Sequence, residues 1–270
     1  YTSADAFVQK LEAAAPTLPV YDGELYLELH RGTLTAKQQI KKNNRMAENL
    51  LRMLELCLTR SAVATHTPAD GTALRPLWNT LLVNQFHDIL PGSCIAAAND
   101  RSLHDMAEML HTGSELLRSW FVPAQNCYTV LNPLDEPCRD VFYLPKIASG
   151  FIAQEPGVTL QNVVLADGTA ATAVYGLERP ALGAAVLHFV PGEQPAQTSR
   201  FVYDGKTLTT PLLQVQLDEL GRITSLVTRA DGMQWADGPM NTLLMAEDVS
   251  AGWDGWDIDA DCMMKLQPAA

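Results

Sequence analysis

A chain of 270 residues, 47% hydrophobic and 19% charged, can bury the core of one large domain or of two ordinary ones. Its formal net charge of −12, with only 19 Lys and Arg, argues against nucleic acid, because phosphate binding rests on cationic side chains. No apolar stretch reaches the roughly 18 to 20 residues that span a bilayer, so no membrane is expected, and the opening "YTSADAFVQKLEAAAP" lacks the charged and then apolar order of a signal peptide.

The first residues already carry a helical pattern, and the last, "DADCMMKLQPAA", stop just after a strand-and-turn region. Such abrupt ends predict a segment of a longer protein. In "YDGELYLELHRGT", residues 21–33, Leu25, Leu27 and Leu29 alternate with Tyr26, Glu28 and His30, which predicts an extended segment. Glu24, Glu28, His30 and Arg31 cluster there, with Glu28 and His30 on one face. A guanidinium suits the fixing of a carboxylate or a hydroxyl-rich ligand, so His30 and Arg31 are candidate substrate-binding residues. An exposed strand with salt bridges is the equal alternative.

From Thr35 to about Val63, Ile40, Ala47, Leu51, Leu54 and Leu58 fall on one helical face. A second helix is predicted over Leu74–Leu90, with Leu77, Trp78, Leu81, Leu82, Phe86 and Ile89 buried. A third is predicted over about Ala96–Phe121, carrying Leu103, Met106, Leu110, Leu117 and Phe121. Short connections predict an antiparallel three-helix bundle over 35–122. After Pro123 the runs "YTVLNPL", "DVFYLP", "AVLHFVPG" and "LLQVQLDELGRITSLV" are short and closed by turn residues, which predicts an antiparallel β-sandwich over 127–270. The fold class expected is α+β multidomain, a three-helix bundle followed by a sandwich.

"NQFHDIL", residues 84–90, ends the second helical run just before Pro91 and Gly92. At about 100° per residue, His87 lies opposite the predicted apolar stripe and Asp88 about 100° round from His87. A surface histidine at a helix C-terminus reads as well as an imidazole and a carboxylate shown to a metal or ligand. One histidine does not make a metal site, which needs three or four ligands. His104 and His111 read as a solvated helical face, His66 and His188 as structural or exposed. Asp257, Asp259 and Asp261 in "GWDGWDIDAD" imitate a calcium loop, but Cys262 stands where that loop needs Gly and no Glu closes it. Trp253 and Trp256 beside these carboxylates read either as a sugar-site lining or as pins for a loop. Ser93 and Cys94 lie near His87 without a nucleophile elbow or triad order. Cys57, Cys94, Cys127, Cys138 and Cys262 are odd in number and scattered, which predicts no disulfide framework and suits a reducing, cytoplasmic setting.

Taken together, "LPVYDGELYLELHRGTLTAKQQIKKNNRMAENLLRMLE", "LWNTLLVNQFHDILPGSCI", "VLNPLDEPCRDVFYLP", "LDELGRITSLV" and "WDGWDID" resemble family 38 glycoside hydrolases, the retaining α-mannosidases, in their cytosolic-type and bacterial branch. Leu34 stands where relatives tend to carry an aromatic residue. The resemblance implies that residues 1–34 are the tail of a catalytic domain, 35–122 the helical middle domain and 127–270 the start of the C-terminal β region. It implies that His87 is one ligand of a catalytic divalent ion, usually zinc, with cobalt as a substitute, and that Asp88 binds sugar hydroxyls. The carboxylate nucleophile, the acid/base and the other metal ligands are implied to lie in an N-terminal domain, so these residues include no catalytic residue and are expected to be inactive alone. The partners expected are a mannoside or oligosaccharide, that catalytic domain and a possible second copy in a homo-oligomer. The alternatives are a non-catalytic carbohydrate-binding or scaffold module and a metal-dependent hydrolase of another substrate.

Overall fold

A computed structural model describes residues 2–23, 28–122, 124–193 and 199–269, and of Glu28 the backbone alone. Helix α1 (Ala4–Ala14) starts at Ser3, whose Oγ accepts a hydrogen bond from Ala6 N at 3.2 Å, and it buries no residue. The helical core begins with α2 (Gln38–Thr65), which buries Ile40, Asn43, Asn44, Ala47, Leu51 and Leu54, positions that share one face at helical spacing. Left-handed residues bracket it, Lys37 at φ 50 and His66 at φ 53. Ala47, Leu51 and Leu54 meet Leu74, Leu77 and Leu81 of α3 (Leu74–Asn84) and Met106 and Met109 of α4 (Ala96–Ser119) in one core. Gly113 on α4 permits close approach, since a Cβ there would lie 2.7 Å from Leu50 Cδ2 on α2.

The second helix is shorter than its apolar pattern predicts. It ends at Asn84 instead of Leu90, and Leu82 and Phe86, expected in the buried stripe, are exposed. Pro91 lies beyond the predicted helix and does not by itself account for the shortening; the break comes where Gln85 N is shared between Leu81 O and Leu82 O and Phe86 N bonds Val83 O. The buried positions are Leu74, Leu77, Leu81 and Asn84, a stripe centred on Leu77 and Leu81. The segment expected to be extended also differs. Residues 24–27 lie outside the described residues, and Glu28–His30 and Gly32–Leu34 form two single 3₁₀ turns. Once the chain turns this way, alternation no longer sets the faces.

The strands are antiparallel throughout. β1 (Cys127–Asn132), β6 (Gly183–Pro191) and β3 (Phe151–Ala153) form one sheet in the order β1-β6-β3. β2 (Phe142–Pro145), β5 (Ala170–Tyr175) and β4 (Thr159–Val164) form another in the order β2-β5-β4. Leu187 and Phe189 of the first share a core with Leu160 and Val174 of the second. A four-stranded sheet follows, order β10-β9-β8-β7, from β7 (Val202–Tyr203), β8 (Thr207–Thr209), β9 (Leu213–Leu217) and β10 (Ile223–Thr228). Its β9–β10 turn is closed by Asp218, whose Oδ1 accepts from Leu220 N and Arg222 N at 2.9 Å each. These bonds to the carboxylate hold the Asp218 pKa below the usual range.

Helices followed by antiparallel sheets make this an α+β chain. The two parts touch through α2. The Arg52 guanidinium donates to Pro133 O at 3.0 and 3.2 Å, and Arg60 donates to Leu182 O. Buried Asn132 fixes the receiving loop, donating from Nδ2 to Glu136 O at 2.8 Å and to Pro180 O at 3.0 Å. All five cysteines are free. Among the described residues no helix is long and apolar enough to cross a membrane.

Candidate functional site

Beyond Asn84 the chain descends through a series of turns. Phe86 N donates to Val83 O at 3.2 Å, Ile89 N to Phe86 O at 2.9 Å, Gly92 N to Ile89 O at 2.9 Å and Ser93 N to Asp88 O at 3.1 Å. His87 and Asp88 project from this unwound stretch and not from a helical face. Their side chains are 72% and 44% exposed, with His87 Nε2 3.4 Å from Asp88 Oδ2. The expected angular separation is thereby corrected: loss of the helix brings the carboxylate alongside the imidazole. The Phe86 ring backs the imidazole at 4.4 Å between centroids. Ser93 Oγ donates toward Asp88 Oδ1 at 3.3 Å and Asp88 O at 3.4 Å, so its hydroxyl is placed against the aspartate.

Partly buried polar contacts on the inner side hold the turn. Lys41 Nζ donates to Leu90 O at 3.0 Å, to Pro91 O at 3.1 Å and to Ala36 O, so all three of its protons are used. Burial lowers the Lys41 pKa. Gln85 Nε2 donates to Asn44 Oδ1 and to Glu48 Oε1 at 3.0 Å each. Gly92, at φ +86, passes against the start of α2, where a Cβ would lie 2.9 Å from Lys37 Cβ and 3.0 Å from Ala36 O. Sequence reasoning missed Lys41, Asn44 and Gln85, and weighed Ser93 only as a nucleophile. A signal for Asn44 was present, because Asn43 and Asn44 continue the stripe of Ile40, Ala47 and Leu51, and polar residues on a buried stripe require partners.

His30 and Arg31 meet a different neighbour, the loop at 252–259. The His30 ring stands edge-on to Trp256 at 4.9 Å, and Arg31 Nε lies 3.7 Å from Asp257 Oδ1. Gly32 N donates to Trp256 O at 3.0 Å, and a Cβ on Gly32 would press within 3.1 Å of Asp257 O. The same loop reaches the turn after α3, where a Cβ on Gly255 would lie 3.2 Å from Ser93 Cα. Residues 28–37, the turn at 85–94 and the loop at 252–259 are thus one assembly.

Among the described residues no group of three His, Cys, Asp or Glu side chains could hold a metal ion. The three carboxylates that imitate a calcium loop have other partners: Asp257 faces Arg31, Asp259 accepts from Ala251 N at 2.8 Å and Asp261 pairs with Lys265 at 2.7 Å. His104 faces Glu108 at 3.5 Å on exposed α4, and His188 lies 2.8 Å from Glu155. His87 is thus one of three histidines with an exposed ring beside a carboxylate, with His104 and His188.

Residues 28–121 match the family described as alpha mannosidase middle domain. Over 92% of its length the chain is 32% identical to human alpha-mannosidase 2C1 and 31% identical to the mouse protein. An alpha-mannosidase from Enterococcus faecalis V583 superposes with a TM-score of 0.58 at 13% identity, over 94% of this chain and 35% of that one. An E. faecalis protein of glycosyl hydrolase family 38 gives 0.52 at 14% identity, over 97% and 36%.

The chain belongs to the alpha-mannosidase family whose middle domain covers residues 28–121. It spans 23% of the length of the human and mouse relatives. The two E. faecalis structures share its fold. The stretch matched by the middle-domain family contains the His87–Asp88 turn and the α2 residues that hold it, while the 252–259 loop lies beyond that stretch.

Proposed function

We propose that the chain forms one wall of the active site of a retaining α-mannosidase that removes terminal α-D-mannosyl units from mannosides and oligosaccharides. In this reading residues 1–34 are the tail of the catalytic domain, 35–122 a three-helix bundle and 127–270 the start of a β-sandwich. The observation that carries the proposal is the His87–Asp88 pair, exposed and 3.4 Å apart on a turn held from within by Lys41 and Gln85, in a chain of this family.

His87 offers an imidazole nitrogen to a divalent ion, zinc or cobalt, whose other ligands come from residues outside this chain. A bound ion supplies positive charge that orients sugar hydroxyls. Asp88, with one oxygen facing Ser93, turns its carboxylate to accept hydrogen bonds from mannose hydroxyls. The nucleophile and the acid/base lie in the catalytic domain, about 5–5.5 Å apart as retention requires. The five free cysteines agree with a cytoplasmic setting.

The test uses the full-length protein. His87→Ala is expected to lower metal content and kcat, with partial recovery at high metal concentration. Asp88→Asn is expected to keep the metal while kcat/KM falls, because hydroxyl contacts that strengthen in the transition state are lost. Wild-type metal content and turnover in His87→Ala would return this residue to a surface histidine. Metal-dependent hydrolysis of an α-mannoside by residues 1–270 alone would overturn the division of roles.

A further inference from the structure

The loop at 252–259 carries two tryptophans with opposite fates. Trp256 is half-buried, its ring against His30 and its carbonyl accepting from Gly32 N. Trp253, three residues earlier, is 81% exposed. Its backbone is left-handed, at φ 59, a conformation that bulky residues rarely adopt. It is held there because its carbonyl accepts from both Trp256 N at 2.7 Å and Asp257 N at 3.0 Å. The anchored half of the loop therefore displays the indole of the other half.

Trp253 borders an open surface cleft of about 700 Å³ with Asp254, Gly255, Lys37, Ser93 and Cys94. One cation and one anion leave it without net charge, and the hydroxyl of Ser93 joins it to Asp88 at 3.3 Å. A volume within the usual range for small-ligand sites, a flat aromatic face and a few polar groups suit a neutral, hydroxyl-rich ring better than an anion or a lipid chain. We infer that this cleft is a second sugar subsite, which takes the leaving-group pyranose of an oligosaccharide through stacking on Trp253 and hydrogen bonding to Asp254. The inference rests on the mannosidase reading and assigns the side of the bond that reading leaves open. Binding energy from a remote ring is useful when it holds the scissile bond in place, so loss of the platform affects only substrates that own a second ring.

The experiment compares α-mannobiose with α-mannosyl fluoride, whose leaving group is a single atom, on the full-length enzyme. Trp253→Asn suits the left-handed backbone and removes the ring; Trp253→Phe keeps a ring. In Trp253→Asn, kcat/KM for the disaccharide is expected to fall about ten-fold further than kcat/KM for the fluoride, with a smaller difference in Trp253→Phe. Because both substrates are read on the same preparation, their ratio does not depend on how much of the variant is folded. Equal losses on both substrates, or no loss on either, overturn the subsite and make Trp253 a packing residue or an idle one. A wild-type enzyme that hydrolyses neither substrate overturns the mannosidase reading itself, a result distinct from an unchanged ratio.

Discussion

The ammonium nitrogen of Lys41 lies 3.0 Å from the carbonyl oxygen of Leu90, two residues beyond Asp88. A helix of the core thereby fixes a turn whose outward side chains are exposed. Lys41→Met keeps the apolar stem but leaves the carbonyls of Ala36, Leu90 and Pro91 without this donor. It is expected to destabilise the chain by about 1–3 kcal/mol, the range for a buried acceptor that loses its partner. Urea denaturation of residues 1–270 checks this.

The same residue has a pH signature. Burial lowers the Lys41 pKa from its usual 10.5. Between the lowered value and 10.5 the folded state then binds fewer protons than the unfolded state, so the contribution of Lys41 to unfolding free energy rises with pH across that alkaline window. It is lost as pH falls through the folded value. Unfolding free energies measured from pH 8 upward should rise more steeply, or fall less, in the wild type than in Lys41→Met. Parallel curves would show that this amine titrates as a free lysine.

Gly92 and Gly150 share φ +86, but only Gly92 is crowded, with Lys37 Cβ 2.9 Å from the position of a Cβ; at Gly150 nothing lies within 4 Å. Alanine at Gly150 should cost about 1–2 kcal/mol for the left-handed backbone alone. Gly92→Ala should cost more, because residues 36–37 must also move. The melting temperatures of the two variants separate strain from collision.

Leu81 and Leu82 are neighbours on α3 with opposite environments, fully buried and exposed. Leu81→Ala should destabilise by about 2–5 kcal/mol through lost burial and the cavity left behind. Leu82→Ala should stay within about 0.5 kcal/mol. Equal effects in chemical denaturation would restore the wider stripe that periodicity alone predicts.

Most helical positions were legible because α2 and α4 are long enough for periodicity to dominate, and Ile40, Ala47, Leu51, Leu54 and Met106 lie where their spacing puts them. The end of α3 was less legible. Leu82, Phe86 and Ile89 fit one stripe, yet from Gln85 the chain passes into turns, with Phe86 N bonded to Val83 O, and apolar spacing does not mark where a helix gives way to turns. His87 was placed outward by an angle that does not apply, and it is outward because the helix has already ended. Lys41 was invisible for another reason. Its partners, Leu90 and Pro91, are backbone carbonyls about fifty positions away, and carbonyls have no sequence identity. The contacts of His30 and Arg31 with Trp256 and Asp257 bridge more than two hundred positions and leave no periodic trace.

The turn after α3 has an inner and an outer side with no side chain in common. Lys41, Asn44 and Gln85 secure the inside, while Phe86 and His87 look outward. Substitutions that tune what the outer side meets therefore draw little on the small margin by which a domain stays folded. Such a partition lets a lineage exchange recognition residues one at a time, each step surviving as a folded protein, while the inner residues change only together.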